Sequence, residues 1–577
     1  MAGPLSRGPV FLRWHKTITL QGYDGLMGIH YATVRRAPFT LLALLAVLLP
    51  GMALRAGEET ADSKAEQHFD VQEYRVIGNT VLTGRDIERL LYPLLGLNKT
   101  LHDVEGAKTA LESLYHTRGY GTVFVDIPPQ TVSDGIVRLR VTEGRVEREQ
   151  ISGAHYFPER DVIAALPAAT PGGVLQLSKL QDELTAINTE TPDRSVVPIL
   201  KAGSAPGTVD LSLQVTDHLP LHGSLEVNNQ ASLDTDSLRT IASLSYGDLF
   251  GRLDTLSMQY QFTPQKFDQV RVFAANYVWH PLESGLQPSL QYINSDSNVA
   301  AVGTLGVLGT GEITGLRLGY PFVTSVDSNQ SVTFGVDYKH FRNLINQNAT
   351  TADDTPITYL NLSFAYAGLW RSQILTTTLS LSANAGPRHL VGNEGAFAND
   401  RYQARDNYFY LRGDLAFDIK LPADFKLRLR AAGQATAEPL ITNENFSIAG
   451  SDGVRGYLES EVLGDKGVKE TLQLTSPGWH LGERVLGDAY AFYDDGRTWV
   501  LGALSCQPSG TGLTLRSWGG GFDILPGQKL TGSLTWAKAL DSATDLAGGA
   551  SSSCSSSSGQ ATLAGQSRVL FVVRGSF

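Results

Sequence analysis

The sequence predicts two small α+β units followed by a transmembrane antiparallel β-barrel of about sixteen strands. Three observations carry that prediction. An apolar run of secretory type stands near the start, from Phe39 to Leu49. Apolar residues at helical spacing recur between residues 69 and 217 and not beyond. From about residue 218 to the end, alternating apolar and polar segments follow one another, separated by polar turns.

The run Phe39 to Leu49 follows Arg35 and Arg36 and precedes Gly51-Met52-Ala53. That is the charged, apolar and small-residue order of a secretory signal, and the run is too short to span a bilayer. Residues 1–53 are therefore expected to be the signal region, with Met27 a candidate for the true start, and 54–68 a polar linker. No later apolar run approaches the roughly 20 residues of a transmembrane helix. Membrane residence after export then requires a barrel.

The first α+β unit is expected over 69–144. Strands Tyr74 to Val76 and Val81-Leu82 flank Gly78-Asn79, and Ile87, Leu90, Leu91, Leu94 and Leu95 recur at helical spacing until Pro93 ends or bends the helix. A second helix carries Val104, Ala107, Leu111, Leu114 and Tyr115 on one face, with Gly119 as its stop. Strands Thr122 to Ile127 and Ile136 to Val141 close the unit. The second unit, 145–217, repeats the plan. It has a strand Val146 to Ile151 and a short helix from Pro158 with Val162, Ile163 and Leu166 inward. Ser178 and Gln181 then make a capping-box start for a helix bearing Leu184 and Ile187, and strands Ser195 to Leu200 and Thr208 to Val215 finish it.

The barrel is expected over 218–577. Leu256, Met258, Tyr260 and Phe262 share one strand face, as do Phe273, Ala275, Tyr277 and Trp279, and Phe409, Leu411, Leu415, Phe417 and Ile419. Opposite faces carry Gln, Asn, Ser, Thr, Arg and Asp, which would give a hydrated lumen. The chain ends in alternation, Val569, Phe571, Val573, Gly575, Phe577. At roughly 20 to 25 residues per strand and connection, about sixteen strands fit. A soluble β-sandwich would have less reason to repeat lipid-type faces after a secretory signal.

Counting backwards from Phe577 assigns strands to 566–577, 529–538, 511–523 and 486–495. The loops 496–510 and 539–565 then face outward, each holding one of the two cysteines, Cys506 and Cys554. In an oxidising compartment they could pair; two unpaired loop thiols are the alternative. The same count makes 442–469 the sixth outer loop. It contains Val454-Arg455-Gly456-Tyr457, where the flanking glycines Gly453 and Gly456 allow a tight fold around a long cation. Asp494 and Asp495, in Phe492-Tyr493-Asp494-Asp495-Gly496, are candidate partners for Arg455, since guanidinium pairs bidentately with carboxylate.

Composition excludes several function classes. A net charge of −11 without a basic tract argues against a nucleic-acid partner. The chain has no Gly-x-Ser-x-Gly, His-Glu-x-x-His, Cys-x-x-Cys or phosphate-binding loop. Its twelve histidines are scattered. No catalysis, metal or cofactor is expected.

These residues resemble the TpsB transporters of two-partner secretion, the haemolysin and filamentous-haemagglutinin secretion/activation proteins, within the outer-membrane assembly superfamily. Gly78-Asn79-Thr80-Val81-Leu82 is similar to the opening strand of a polypeptide-transport-associated (POTRA) domain, and Arg118-Gly119-Tyr120 to the end of its second helix. The Val454 to Tyr457 tetrad and Phe492-x-Asp494 are similar to the loop motif and to the barrel-wall motif that receives its arginine. The resemblance implies a Gram-negative outer-membrane location, with two POTRA domains in the periplasm and Arg455 paired with Asp494 inside the barrel. It also implies a secreted TpsA-type exoprotein as partner, crossing without ATP, and insertion into outer-membrane lipid by the barrel assembly machinery. Leu54 to His68 is short for the pore-plugging helix and linker that family members often carry. A passive porin would leave the two POTRA domains without a task, and an assembly insertase usually carries three or more.

Overall fold

The computed structural model describes residues 67–577 apart from 133, 234, 268, 283, 298, 303–304, 326, 349–350, 483–484, 503–511, 528 and 544–560. The signal, the linker up to residue 66 and both cysteines lie outside the described residues.

Beside a short antiparallel pair, Phe69–Val71 with Gly96–Lys99, the first unit consists of β1 (Glu73–Ile77), α1 (Gly84–Leu91), α2 (Leu101–Thr117), β2 (Phe124–Asp126) and β3 (Ile136–Thr142). Its sheet has the order β1-β3-β2, with β1 parallel and β2 antiparallel to the centre. Thr83 caps α1, Thr100 and Asp103 form a capping box on α2, and Pro93 lies in the 3-10 turn Tyr92–Leu94 that ends α1. The face of α2 seals the core with Val104, Ala107, Leu111 and Tyr115. Val81-Leu82, expected as a strand, is instead a turn. The Asn79 amide donates to the Leu82 carbonyl (2.9 Å) and accepts its N–H (3.0 Å), while Tyr115 donates its hydroxyl to Asn79 Oδ1 (2.6 Å). A local side-chain bond here replaces the ladder.

The second unit has β4 (Arg145–Ser152), α3 (Glu159–Ala164), α4 (Leu177–Glu190), β5 (Arg194–Ala202) and β6 (Thr208–Asp217), in sheet order β4-β6-β5. Two expectations are corrected. Ile163 points to solvent, 46% exposed, because a helix this short buries only Val162 before the chain turns at Leu166. The start of α4 has no side-chain cap: Ser178 already sits inside the helix and Gln176 takes the cap position. The first unit supplies the missing contacts, since Leu177 donates its N–H to Gly119 O (2.8 Å) and Gln176 Nε2 donates to Arg118 O (3.0 Å). Buried Glu143 joins the units further, accepting the N–H groups of Thr80 (2.6 Å) and Val81 (3.1 Å) and pairing with Arg145 (3.2 Å).

A closed antiparallel barrel of sixteen strands follows. They are β7 (Leu221–Asn228), β8 (Arg239–Leu249), β9 (Asp254–Phe262), β10 (Arg271–Val278), β11 (Gln287–Ser295), β12 (Gly311–Thr324), β13 (Ser328–Asn348) and β14 (Thr351–Arg371). The second half is β15 (Leu375–Ala385), β16 (Phe409–Lys420), β17 (Lys426–Thr436), β18 (Lys466–Thr475), β19 (Val485–Trp499), β20 (Leu513–Pro526), β21 (Leu530–Ala539) and β22 (Ser567–Ser576). A short segment, Trp479–Leu481, pairs with the start of β19. Closure pairs β22 with β7 from Val572↔Asn228 to Ser576↔Ser224, extended by Phe577 donating its N–H to Gly223 O (3.0 Å).

The alternating residues sort as the pleat requires. Met258, Tyr260, Phe273, Phe364, Phe409 and Leu411 are exposed on the outer face, where lipid would cover them. The sixth loop spans 437–465 rather than 442–469, because β17 ends at Thr436 and β18 begins at Lys466. Gly467 and Val468 already pair with Gln434 and Gly433 in the wall. Likewise β19 runs on to Trp499, so the next loop begins at residue 500.

Candidate functional site: a loop folded into the lumen

The sixth loop turns back into the barrel instead of projecting outward. Phe446–Ser447 pairs with Leu463–Gly464 to form its neck. Beyond the neck, Val454 donates its N–H to Ile448 O (2.8 Å) and accepts from Gly450 (3.2 Å), closing a compact tip. Val454 and Ile448 are fully buried and pack with Tyr457, Val462, Leu515 and Ala539. Gly456 has φ +97°, and a Cβ there would meet Ala537 and the backbone of Ala539 at 3.4 Å. Glycine thus permits the left-handed turn, while at that distance a Cβ would make only ordinary contact with β21.

This fold aims Arg455 at the wall. Its Nε lies 2.8 Å from Asp494 Oδ2 and its Nη2 2.9 Å from Oδ1, a bidentate pair, while Nη1 donates to Gln473 Oε1 at 2.9 Å. The Arg455 backbone N–H reaches the same Asp494 oxygen at 3.1 Å, and the guanidinium carbon sits 3.4 Å above the Phe492 ring. Asp494 is fully buried. Phe492 and Asp494 project to one side of β19 because they are two residues apart. Asp495, of opposite parity, makes no hydrogen bond to Arg455 among the described residues. Tyr457 completes the tetrad, its hydroxyl 2.8 Å from Asp541 O and 3.1 Å from Arg516 O. The arrangement is electrostatic and steric. No cluster able to hold a metal occurs among the described residues. Cys506 and Cys554 lie outside the described residues, and their pairing with them.

Sequence reasoning missed a second set of anchors. Glu444, 1% exposed, accepts from Lys339 Nζ (2.6 Å), Tyr359 OH (2.5 Å) and Tyr410 OH (2.6 Å). Fully buried Asp465 accepts from the N–H groups of Leu440 (2.7 Å) and Leu501 (2.6 Å) and from Arg401 Nη2 (3.0 Å). Nothing local marks either residue: Glu444 stands in Thr442-Asn443-Glu444-Asn445, which reads as solvated loop. Between the tip and the neck, Glu461 accepts from Thr562 N–H (2.5 Å), and Glu459 donates its N–H to Ala231 O (2.9 Å). The loop is tied to both sides of the closing seam.

The lumen also differs from the uniformly polar expectation. On the side of the α+β units, Ser245, Ser257, Gln259, Asn276 and Gln291 are among the residues lining a cavity. Towards the outer loops the lumen is filled by a buried apolar cluster.

Comparison with known proteins adds to this geometry. The family described as haemolysin secretion/activation protein ShlB/FhaC/HecB matches residues 207–515, more than half of the chain, and the POTRA domain of ShlB type matches 69–144. The outer membrane transporter CdiB of Dickeya dadantii strain 3937 is 24% identical over 430 residues, covering 72% of this chain and 73% of that protein. The heme/hemopexin transporter protein HuxB of Haemophilus influenzae strain 86-028NP is 21% identical over 428 residues, covering 71% and 72%. Among solved structures, CdiB from Escherichia coli superposes with a TM-score of 0.56 at 19% identity over 90% of this chain and 92% of that one. BamA from Haemophilus ducreyi lacking POTRA domains 1–3 gives 0.52 at 13% identity over 88% and 100%. At these identities the structural likeness speaks for the fold.

Proposed function

The chain belongs to the haemolysin secretion/activation family of outer-membrane transporters, and on that premise we propose that its two α+β units capture an unfolded exoprotein in the periplasm. The barrel then passes this client outward without ATP. The observation that carries the reading is the sixth loop held within the lumen through Arg455 and Asp494. A static pore would have no use for such a device, whereas a pore that must clear for a polypeptide can use a docked loop as its latch. The free edges of the two small sheets support capture, since β1, β2 and β5 each have a sheet neighbour on one side only and the outer edge of β4 is bridged only at its start, by residues 172–174, and an extended client segment can add to such an edge. The sequence contains no phosphate-binding loop, which supports export driven by folding of the client outside. The partner is a TpsA-type exoprotein with an N-terminal secretion domain, and the barrel itself is inserted by the barrel assembly machinery.

The test is deletion of this gene, followed by measurement of two quantities: secretion of large exoproteins into the medium, and outer-membrane levels of other barrels. Loss of that secretion alone is expected. Unchanged secretion with depletion of other barrels would overturn the reading in favour of an assembly factor.

A further inference from the structure

We infer that Glu444 is a second positioning residue of the sixth loop, and that together with Phe397 of the fifth outer loop it holds shut a dry gate across the outer part of the lumen. The inference rests on the transport reading only for what passes the gate; the gate itself follows from packing.

Its wall is a row of lumenal residues that are successive cross-strand partners: Ala274, Ile293, Ile313, Lys339 and Tyr359, on β10 to β14. Two residues further towards the loops, the next row on the same face runs Val272, Ser295, Gly311, Phe341 and Ile357, apolar at both ends. In an open channel these side chains would face water, yet Ile293 is 0%, Phe341 2% and Ile357 1% exposed. What covers them comes from two loops. The fifth loop inserts α5 (Glu394–Asp400), whose Phe397 packs edge-on to Tyr359 at 5.4 Å and also against Tyr408 at 6.1 Å. The sixth loop contributes Leu440 and Ile441 from its root. An apolar constriction of this kind blocks ions by excluding water.

Glu444 gives the closed arrangement its two-state character. Its carboxylate is satisfied by Lys339, Tyr359 and Tyr410 only when the root of the loop lies against β13, β14 and β16. Drawing the loop away breaks this pair and exposes the apolar rows to water, whereas removing the Glu444 carboxylate with the loop in place leaves Lys339, whose side chain is 11% exposed, without its countercharge in an apolar surround. Arg401 couples the loops, donating to Asp465 Oδ2 at 3.0 Å and to Leu501 O at 2.9 Å. Arg455 holds the tip of the sixth loop on β19; Glu444 holds its root on a different part of the wall. The two loops therefore leave the lumen together.

Full-length protein in planar lipid bilayers, without client, tests the gate. Glu444→Ala and Phe397→Ser are each expected to raise the fraction of time spent conducting about tenfold over wild type. Glu444→Gln, which keeps an acceptor for one phenol and can donate to the other but loses the charge facing Lys339, should fall between. All should retain heat-modifiable migration. Conducting fractions within about twofold of wild type for both Glu444→Ala and Phe397→Ser would overturn the gate. Should Glu444→Ala fail to insert, Phe397→Ser, which leaves no charge unpaired, decides alone. Because no client is present, a wild-type protein that gates as stated but secretes nothing counts against the transport reading and not against the gate.

Discussion

Replacing Arg455 with alanine strips Asp494 of its countercharge in a fully buried position. Loss of one partner from such a pair costs about 3–5 kcal/mol, and loss of the stacking on Phe492 about a further 1 kcal/mol. The wall strands keep their ladders, and Tyr457, Glu459 and Glu461 still tether the loop. The penalty therefore falls on docking of the loop and not on closure of the barrel. At about 4 kcal/mol the docked-to-undocked ratio falls roughly a thousandfold. Client secretion should drop sharply and the loop 437–465 should become cleavable by added protease, while heat-modifiable migration persists. Arg455→Lys should not rescue, since a point charge cannot replace the bidentate fork and the stacked plane. Combining Arg455→Ala with Asp494→Ala should cost less than the sum of the single changes, because no buried charge is then orphaned. Normal secretion with a protected loop in Arg455→Ala would refute the reasoning. A barrel that fails to insert would instead make the pair an ordinary structural element.

Two further outcomes test the frame around the loop. Phe364, 54% exposed on the outer face of β14, should tolerate arginine poorly, with about 2–4 kcal/mol lost in urea titrations of the lipid-embedded barrel; a loss below about 1 kcal/mol would place that face in water. Where the second unit meets the barrel, Asp217 is drawn two ways: burial pushes its carboxyl up, but the backbone N–H groups of Tyr156, His155 and Phe157 outweigh this and hold it below the usual aspartate range. A depressed carboxyl stabilises the fold above its unfolded value of about 3.9, and that stability is lost as pH falls through the lower folded value. Hydrogen exchange at residues 155–157 should therefore be faster in Asp217→Asn than in wild type at neutral pH, with the difference shrinking as pH is lowered from about 5 towards 2. A pH-independent difference would contradict the assignment.

The sequence by itself determined the periodicities and hence the architecture. Alternation over two residues and recurrence over three or four are local properties, so the strand faces bearing Met258, Tyr260, Phe273 and Phe409 and the α2 face bearing Val104, Ala107, Leu111 and Tyr115 could be read directly. Short elements were less legible. Ile163 and Ser178 follow the local pattern, but a one-turn helix and a neighbouring unit decide their surroundings. The structure alone decided which polar lumenal residues meet. Glu444 finds Tyr359 from 85 residues away and Lys339 from 105, distances along the chain at which no spacing rule operates. Closing sixteen strands in one register brings these groups to the same height in the wall. Whether an inward residue then faces water or an inserted loop depends on where the fifth and sixth loops fold. That is why a lumen read from alternation as uniformly polar holds an apolar plug at its outer end.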